Sequence, residues 1–180
     1  MNDVLAQPAP PLAAASAAAE AFEALYRRTF PRVYAYVASI LRDRAAAEDV
    51  TAQAFERAYR KRRGFRASRG SAEAWVFGIA RNAALDELRR RKHRARLQAE
   101  PEDLFAEPVE DHVERTLRWD VVRRGLGALD ARERDLLALK FSGGLSNQEI
   151  GRVLGLSESN AGTKLHRTIE KLRKACHEDD

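Results

Sequence analysis

One cysteine, Cys176, stands in the whole 180-residue chain, so neither an intrachain disulfide nor a CxxC metal or redox pair can form. That sets aside the small secreted domains stapled by disulfides. Only four histidines occur, His93, His112, His166 and His177, none at ligand spacing from another, and Cys176 beside His177 reads as an incidental neighbour. No metal and no cofactor are therefore expected, and no catalytic residues stand out. Glycine is absent before Gly64, no segment alternates in the manner of a β-strand, and no apolar run approaches the length of a membrane span. The opening Met-Asn-Asp lacks a basic n-region, and Pro8, Pro10 and Pro11 interrupt any apolar h-region, which argues against a secretory signal and for the cytoplasm.

What is present is a core-forming share of apolar residues, 44%, with 33% charged residues, above the quarter typical of globular chains. The net charge of +5 hides a strong segregation. Residues 1–96 are basic, residues 97–114 (LQAEPEDLFAEPVEDHVE) hold acidic residues and no basic one, and residues 115–180 are mildly basic again. Pro101 and Pro108 within the acidic stretch remove backbone donors and disfavour helix. It reads as a flexible linker between two domains. Two basic modules on an acidic tether suit a polyanion held at two places; solvated helix surface would show the same charges.

Residues 1–19, mostly Ala and Pro, carry too little apolar bulk for a core and are expected to be disordered. From Ala21 to Arg42, Phe22, Leu25, Tyr26, Val33, Tyr36, Val37, Ile40 and Leu41 recur at helical spacing. A second helix is expected from about Ala45 to Arg62, with Val50, Ala54, Phe55 and Ala58 on its apolar face. GFRASRGS, between Gly64 and Ser71, reads as a loop, and a third helix spans about Ala72 to His93. In the second module a helix around Thr116 to Leu126 precedes two helix starts at capping-box spacing, Asp130 with Glu133 and Ser146 with Glu149. Gly155 is placed to stop the short helix after Ser146, and Ser157 to cap the last one. The fold class is all-α: two small helical domains, 20–96 and 115–180.

A short helix, a glycine turn and a further helix form the arrangement that lays a second helix in the DNA major groove. Thr163, Lys164, His166 and Arg167 supply the polar and basic groups that base edges and phosphates require. An ordinary helical hairpin with solvated charges is the plainer reading of the same segment.

Taken together, AAAEDVTAQAFERAYR, WVFGIARNAALDELRRRKHR and LSNQEIGRVLGLSESNAGTKLHRTIEKLRK resemble, in order and spacing, the signatures of bacterial RNA polymerase sigma factors of the sigma-70 family, extracytoplasmic-function type. The resemblance covers about Glu20 to Arg96 and Arg115 to Ala175. It implies a region 2 domain that binds core polymerase and opens the promoter's minus-ten element, and a region 4 domain with a helix-turn-helix that binds the minus-thirty-five element. It further implies contact with the polymerase clamp helices and flap, control by an anti-sigma factor, and no enzymatic activity. Carried over by residue, Glu48 and Asp49 fall in the clamp-helix contact, with Gln53 where members usually have an acidic residue. Asn82 and Asp86, one helical turn apart, fall in the minus-ten reading helix, with Arg81, Arg89, Arg90 and Lys92 as phosphate contacts. The Gly64 to Ser71 loop would shape a pocket for a flipped base, with Trp75 beside it read as core. Asn160, Thr163, Lys164, His166 and Arg167 take the minus-thirty-five positions. Asn160 and Ser159 stand where members have Thr and Gly, in that order, which leaves the sequence preference open. Gly162 replaces a common basic residue, at a cost of about 0.5–1 kcal/mol relative to alanine inside a helix; either that helix is softened or the promoter contact differs.

A stand-alone helix-turn-helix regulator, with its first helices binding a ligand or a second copy, is the alternative of a different class. It would bind DNA without needing polymerase. An enzyme acting on nucleic acid has no supporting residue cluster.

Overall fold

The computed structural model describes residues 12–98 and 116–177; residues 1–11 and nearly all of the acidic stretch lie outside the described residues. The described residues are helical with no strand, in the order α1 (Leu12–Leu41), α2 (Arg44–Lys61), two single 3-10 turns (Arg62–Gly64 and Ala67–Arg69), α3 (Ala72–Gln98), α4 (Thr116–Gly127), α5 (Ala131–Phe141), α6 (Asn147–Leu154) and α7 (Glu158–His177). The first helix starts at Leu12, eight residues ahead of the Glu20 boundary read from the sequence. Alanine is the best helix former, and a helix already nucleated by packed turns extends through it at little cost. α1 also runs through Pro31 without a break.

Helices α1, α2 and α3 pack on one another through Val33, Tyr36, Val37, Val50, Ala54, Ala58, Val76, Phe77 and Ala80, all fully or nearly fully buried. The small alanines let the helix axes come close, and the aromatic rings fill what remains. Tyr26, Phe30 and Phe55 cluster along the α1–α2 seam, with Tyr26 and Phe55 in edge contact at 4.9 Å, and Phe22 meets Tyr59 edge-on at 5.2 Å.

The α1–α2 turn is fixed by Asp43. Its carboxylate accepts from the Ala46 amide at 3.0 Å and from Arg91 Nη2 of α3 at 2.9 Å. The Ala46 hydrogen bond holds this carboxyl below the usual carboxylate range, with the Arg91 charge adding to it and burial opposing. Asp43→Ala is expected to lower stability by about 1 kcal/mol, the worth of a helix N-cap. Because the folded-state value is lowered, the difference between the two proteins holds above the unfolded carboxylate pKa and fades as pH falls through the folded value. Urea unfolding followed by circular dichroism at neutral pH and again in acid checks both points.

In the second module, Asp130 and Ser146 form the capping boxes expected of them, each with its Glu closing back on the cap amide. Gly155 takes a left-handed φ of +69°, which an L-side chain would resist. Ala161 and Leu165 of α7 are buried against α5 and α6, with Ile169 and Leu172 packed beside them.

The two modules share one apolar core. Leu139 and Leu145 are as fully buried as Tyr36 and Phe77, and α5 and α6 lie on α1 and α3. Gly143 lies on the seam: a Cβ there would sit 3.0 Å from the Phe77 ring of the first module and 2.6 Å from the Leu139 carbonyl oxygen of its own.

Candidate functional site

Three surfaces carry the residues singled out by the sequence. The first is the outer face of α2. Ala47, Val50, Thr51, Ala54, Phe55 and Ala58 turn inward, so helical periodicity puts Glu48 and Asp49 fully outward and Gln53 at the edge of the same face. Among the described residues neither carboxylate has an ion-pair partner.

The second is a cavity of about 410 Å³ between the 3-10 loop, α3 and α6. The loop contributes Gly64, Phe65, Arg66, Arg69, Gly70 and Ser71, and α3 contributes Trp75, Gly78, Ile79 and Asn82. Phe65 and Trp75 form an aromatic wall, ring centroids 5.3 Å apart. Trp75 is half-buried: it packs on the core with one part of its indole and lines the cavity with another. Ser71 starts α3, its hydroxyl accepting from the Ala74 amide at 3.1 Å. The dimensions and the mixture of aromatic walls with amide and basic groups suit a planar, hydrogen-bonding guest.

The residues expected to read the minus-ten element are not all brought together. Asn82 is exposed and lines the cavity. Arg81, one position earlier, is turned about 100° around the helix and reaches α5 instead, its Nε donating to Asp135 Oδ2 at 2.7 Å. Asp86 lies one turn beyond Asn82, outside the cavity lining, and is paired with Arg89 at 2.8 Å. Arg90 is paired with Glu87 at 2.7 Å. These last pairs are exposed on the arginine side, where ion pairs hold only weakly.

The third surface is α7, second helix of the helix-turn-helix. Asn160, Thr163, Lys164, His166 and Arg167 are all exposed. The Asn160 amide donates to Ser157 Oγ at 3.2 Å, the cap expected of Ser157. Gly162 leaves α7 continuous. A Cβ at Gly162 would lie 3.2 Å from Asn147 Nδ2 of α6, so its smallness answers to the packing of α7 on α6.

A cluster that the sequence did not reveal joins the modules. The Tyr36 hydroxyl donates to Asp135 Oδ1 at 2.7 Å, while Arg81 holds the other carboxylate oxygen. Burial, and then the charge and hydrogen bond of Asp135, push the Tyr36 phenol well above its ordinary range, with Arg81 opposing. Ser71 donates to Glu149 Oε1 at 2.5 Å. Burial raises the Glu149 carboxyl, but the hydrogen bonds from Ser71 and Ser146 outweigh it and hold the group below the usual range. Arg32 Nε donates to the Gly143 carbonyl at 2.9 Å and its Nη1 to Glu73 at 2.8 Å. Partners in these contacts between modules stand 54 to 111 positions apart, so no local pattern could announce them.

Among the described residues no three His, Cys, Asp or Glu side chains are grouped to hold a metal ion, and no helix is long and apolar enough to cross a membrane.

Residues 25–94 match the family model for Sigma-70 region 2, and residues 120–172 that for Sigma-70 region 4. The RNA polymerase sigma factor CarQ of Myxococcus xanthus is 34% identical, the alignment covering 89% of this chain and 92% of that one. The ECF RNA polymerase sigma factor SigK of Mycolicibacterium vanbaalenii is 29% identical over 87% of this chain and 82% of its own. Among solved structures, the sigma factor RpoE in complex with the anti-sigma factor NepR from Bartonella quintana has the same fold, with a TM-score of 0.69 at 21% identity, covering 89% of this chain and 99% of that one. CnrH in complex with the cytosolic domain of CnrY follows at a TM-score of 0.64 and 24% identity, covering 93% and 96%. Both family regions thus fall in order on the two helical modules, and the chain belongs to the extracytoplasmic-function group of the sigma-70 family of RNA polymerase sigma factors.

Proposed function

We propose that this chain is a promoter-specificity subunit of the cytoplasm, which binds core RNA polymerase, opens the minus-ten element and holds the minus-thirty-five element, without a reaction of its own. The observation that carries the reading is the cavity bounded by the Gly64–Ser71 loop, Trp75 and Asn82, a receptacle for a base taken out of its stack. The domains are residues 20–96 and 115–180 on the acidic linker 97–114. Glu48, Asp49 and Gln53 form the polymerase contact at the clamp helices, and the second module meets the flap. Asn82 and Asp86 read the minus-ten strand while Arg81, Arg89 and Arg90 hold its phosphates. Asn160, Thr163, Lys164, His166 and Arg167 contact the minus-thirty-five duplex. Control by an anti-sigma factor agrees with the structurally similar RpoE being bound to the anti-sigma factor NepR.

Transcription from a promoter library by core polymerase with and without the purified chain tests the proposal. Chain-dependent transcripts sharing a start-site pattern support it; DNA binding without any effect on polymerase favours a stand-alone regulator. On a promoter so identified, Arg167→Ala is expected to weaken the complex about tenfold, the worth of a charged phosphate or base contact, with core binding unchanged. Gel-shift titration of the holoenzyme measures it; equal loss of core binding would point to misfolding instead.

A further inference from the structure

We propose that the cavity between the 3-10 loop, α3 and α6 binds a free purine nucleotide, with the base against Phe65 and Trp75 and the phosphates held at the mouth by Arg66, Arg69 and Arg152. The inference goes beyond the functional reading above, which uses only the part of this cavity supplied by the first module. Arg152 belongs to the second.

The mouth is arranged for an anion. Arg66, Arg69 and Arg152 line the cavity and are exposed, and among the described residues none of the three has an ion-pair partner. No carboxylate lines it; Glu149, which bonds the lining residue Ser71, is engaged by the Ser146 hydroxyl as well. Guanidinium groups gathered without a counter-ion repel one another, and a phosphate relieves that repulsion by accepting charge-assisted, bidentate hydrogen bonds from them. The approach of Arg152 depends on Gly70. Its φ of +142° is one that L-side chains rarely adopt, and a Cβ there would sit 3.1 Å from Arg152 Cδ and 3.2 Å from Nη1.

The interior is arranged for a ring. Phe65 and Trp75 are half-buried with their planes 42° apart, a wedge on which one base can stack, and the fused rings of a purine offer it the larger face. Gly78 lies in the interior of α3, where glycine is disfavoured relative to alanine, yet a Cβ there would meet nothing within 4 Å. Packing within the protein therefore does not require this glycine; its bareness leaves room in the cavity that it lines. Asn82 adds a carboxamide, donor and acceptor together, for a base edge. The volume of about 410 Å³ is that of a site for one small molecule.

The test titrates the full chain, in buffer free of divalent cations, with guanosine diphosphate, adenosine diphosphate, guanosine and inorganic pyrophosphate. Calorimetry reads affinity, and heteronuclear NMR follows the Trp75 indole N–H and the Gly70 and Gly78 amides. The diphosphates are expected to bind at least about tenfold more tightly than guanosine or pyrophosphate, because base and phosphate contacts reinforce each other on one molecule, and to shift those three signals most. Arg152→Ala, on an exposed face, is expected to weaken diphosphate binding about tenfold, the loss of one charge-assisted contact. Gly78→Ala is expected to abolish binding while raising the urea midpoint, since alanine favours the helix; a glycine needed only for the fold would lower that midpoint. Pyrophosphate binding as tightly as the diphosphates overturns the proposal and leaves a general anion patch. No binding of the diphosphates, shifts centred away from the cavity, or both variants binding as the parent does overturn it equally. Chain-dependent transcription without nucleotide binding sinks this inference and leaves the functional reading standing, whereas the absence of both sinks both.

Discussion

Asp49→Arg is expected to abolish co-elution of the chain with bacterial core RNA polymerase in size-exclusion chromatography, a loss of at least about 100-fold in affinity. The physical ground is its position. Asp49 lies on the outward face of α2, opposite Val50, Thr51 and Ala54, so the substitution meets only solvent in the free protein and leaves helicity and unfolding unchanged. In a complex with a basic partner helix, the same change turns an attraction into a like-charge contact, which costs several kcal/mol. Glu48 beside it cannot compensate, because the introduced charge lies next to it on the same surface. Unchanged affinity, measured by titration, would remove Asp49 from the polymerase contact.

Phe77→Ala is expected to destabilise the chain by about 3–5 kcal/mol, the range for truncating a buried phenylalanine, read as a shift in urea midpoint at neutral pH. Phe77 is fully buried, meets Tyr36 edge-on with ring centroids 5.5 Å apart, and lies against Gly143 of the second module. Arg32 stands over its ring at 5.9 Å on the way to the Gly143 carbonyl. Removal opens a void in the first module and strips the seam of its apolar centre. A cost under about 1 kcal/mol would mean the site collapses around the void or is already solvated when the modules separate.

Most helices were legible because their apolar residues recur at 3.6-residue spacing and their starts carry Asp, Ser and Glu at cap positions. Asp130 with Glu133, Ser146 with Glu149 and Gly155 act as their positions in the sequence indicate, since a cap is a contact within four residues. The N-terminal boundary missed by eight residues for the opposite reason: Leu12 to Ala19 have no apolar pattern, and alanine extends a helix by propensity alone. For Gly162 the sequence leaves open a softened helix or a different promoter contact; the structure adds that a Cβ there would meet Asn147 of another helix. The family resemblance assigns Arg81 and Asn82 to one DNA surface, Asn82 to base reading and Arg81 to a phosphate. A helix separates adjacent residues by about 100°, and the structure gives Arg81 to α5 and Asn82 to the cavity.

The sequence by itself determined the all-α class, the two modules with their charges, the exposed faces of α2 and α7, and the family. Periodicity and capping act over a few residues, and family signatures are contiguous strings. Only the tertiary structure decided that the modules close on each other, that Asp135 and Glu149 meet Arg81 and Ser71, and that α6 forms part of the cavity wall. Those contacts join residues more than 50 positions apart, and their partners are selected by the burial of a shared core, which no local pattern encodes.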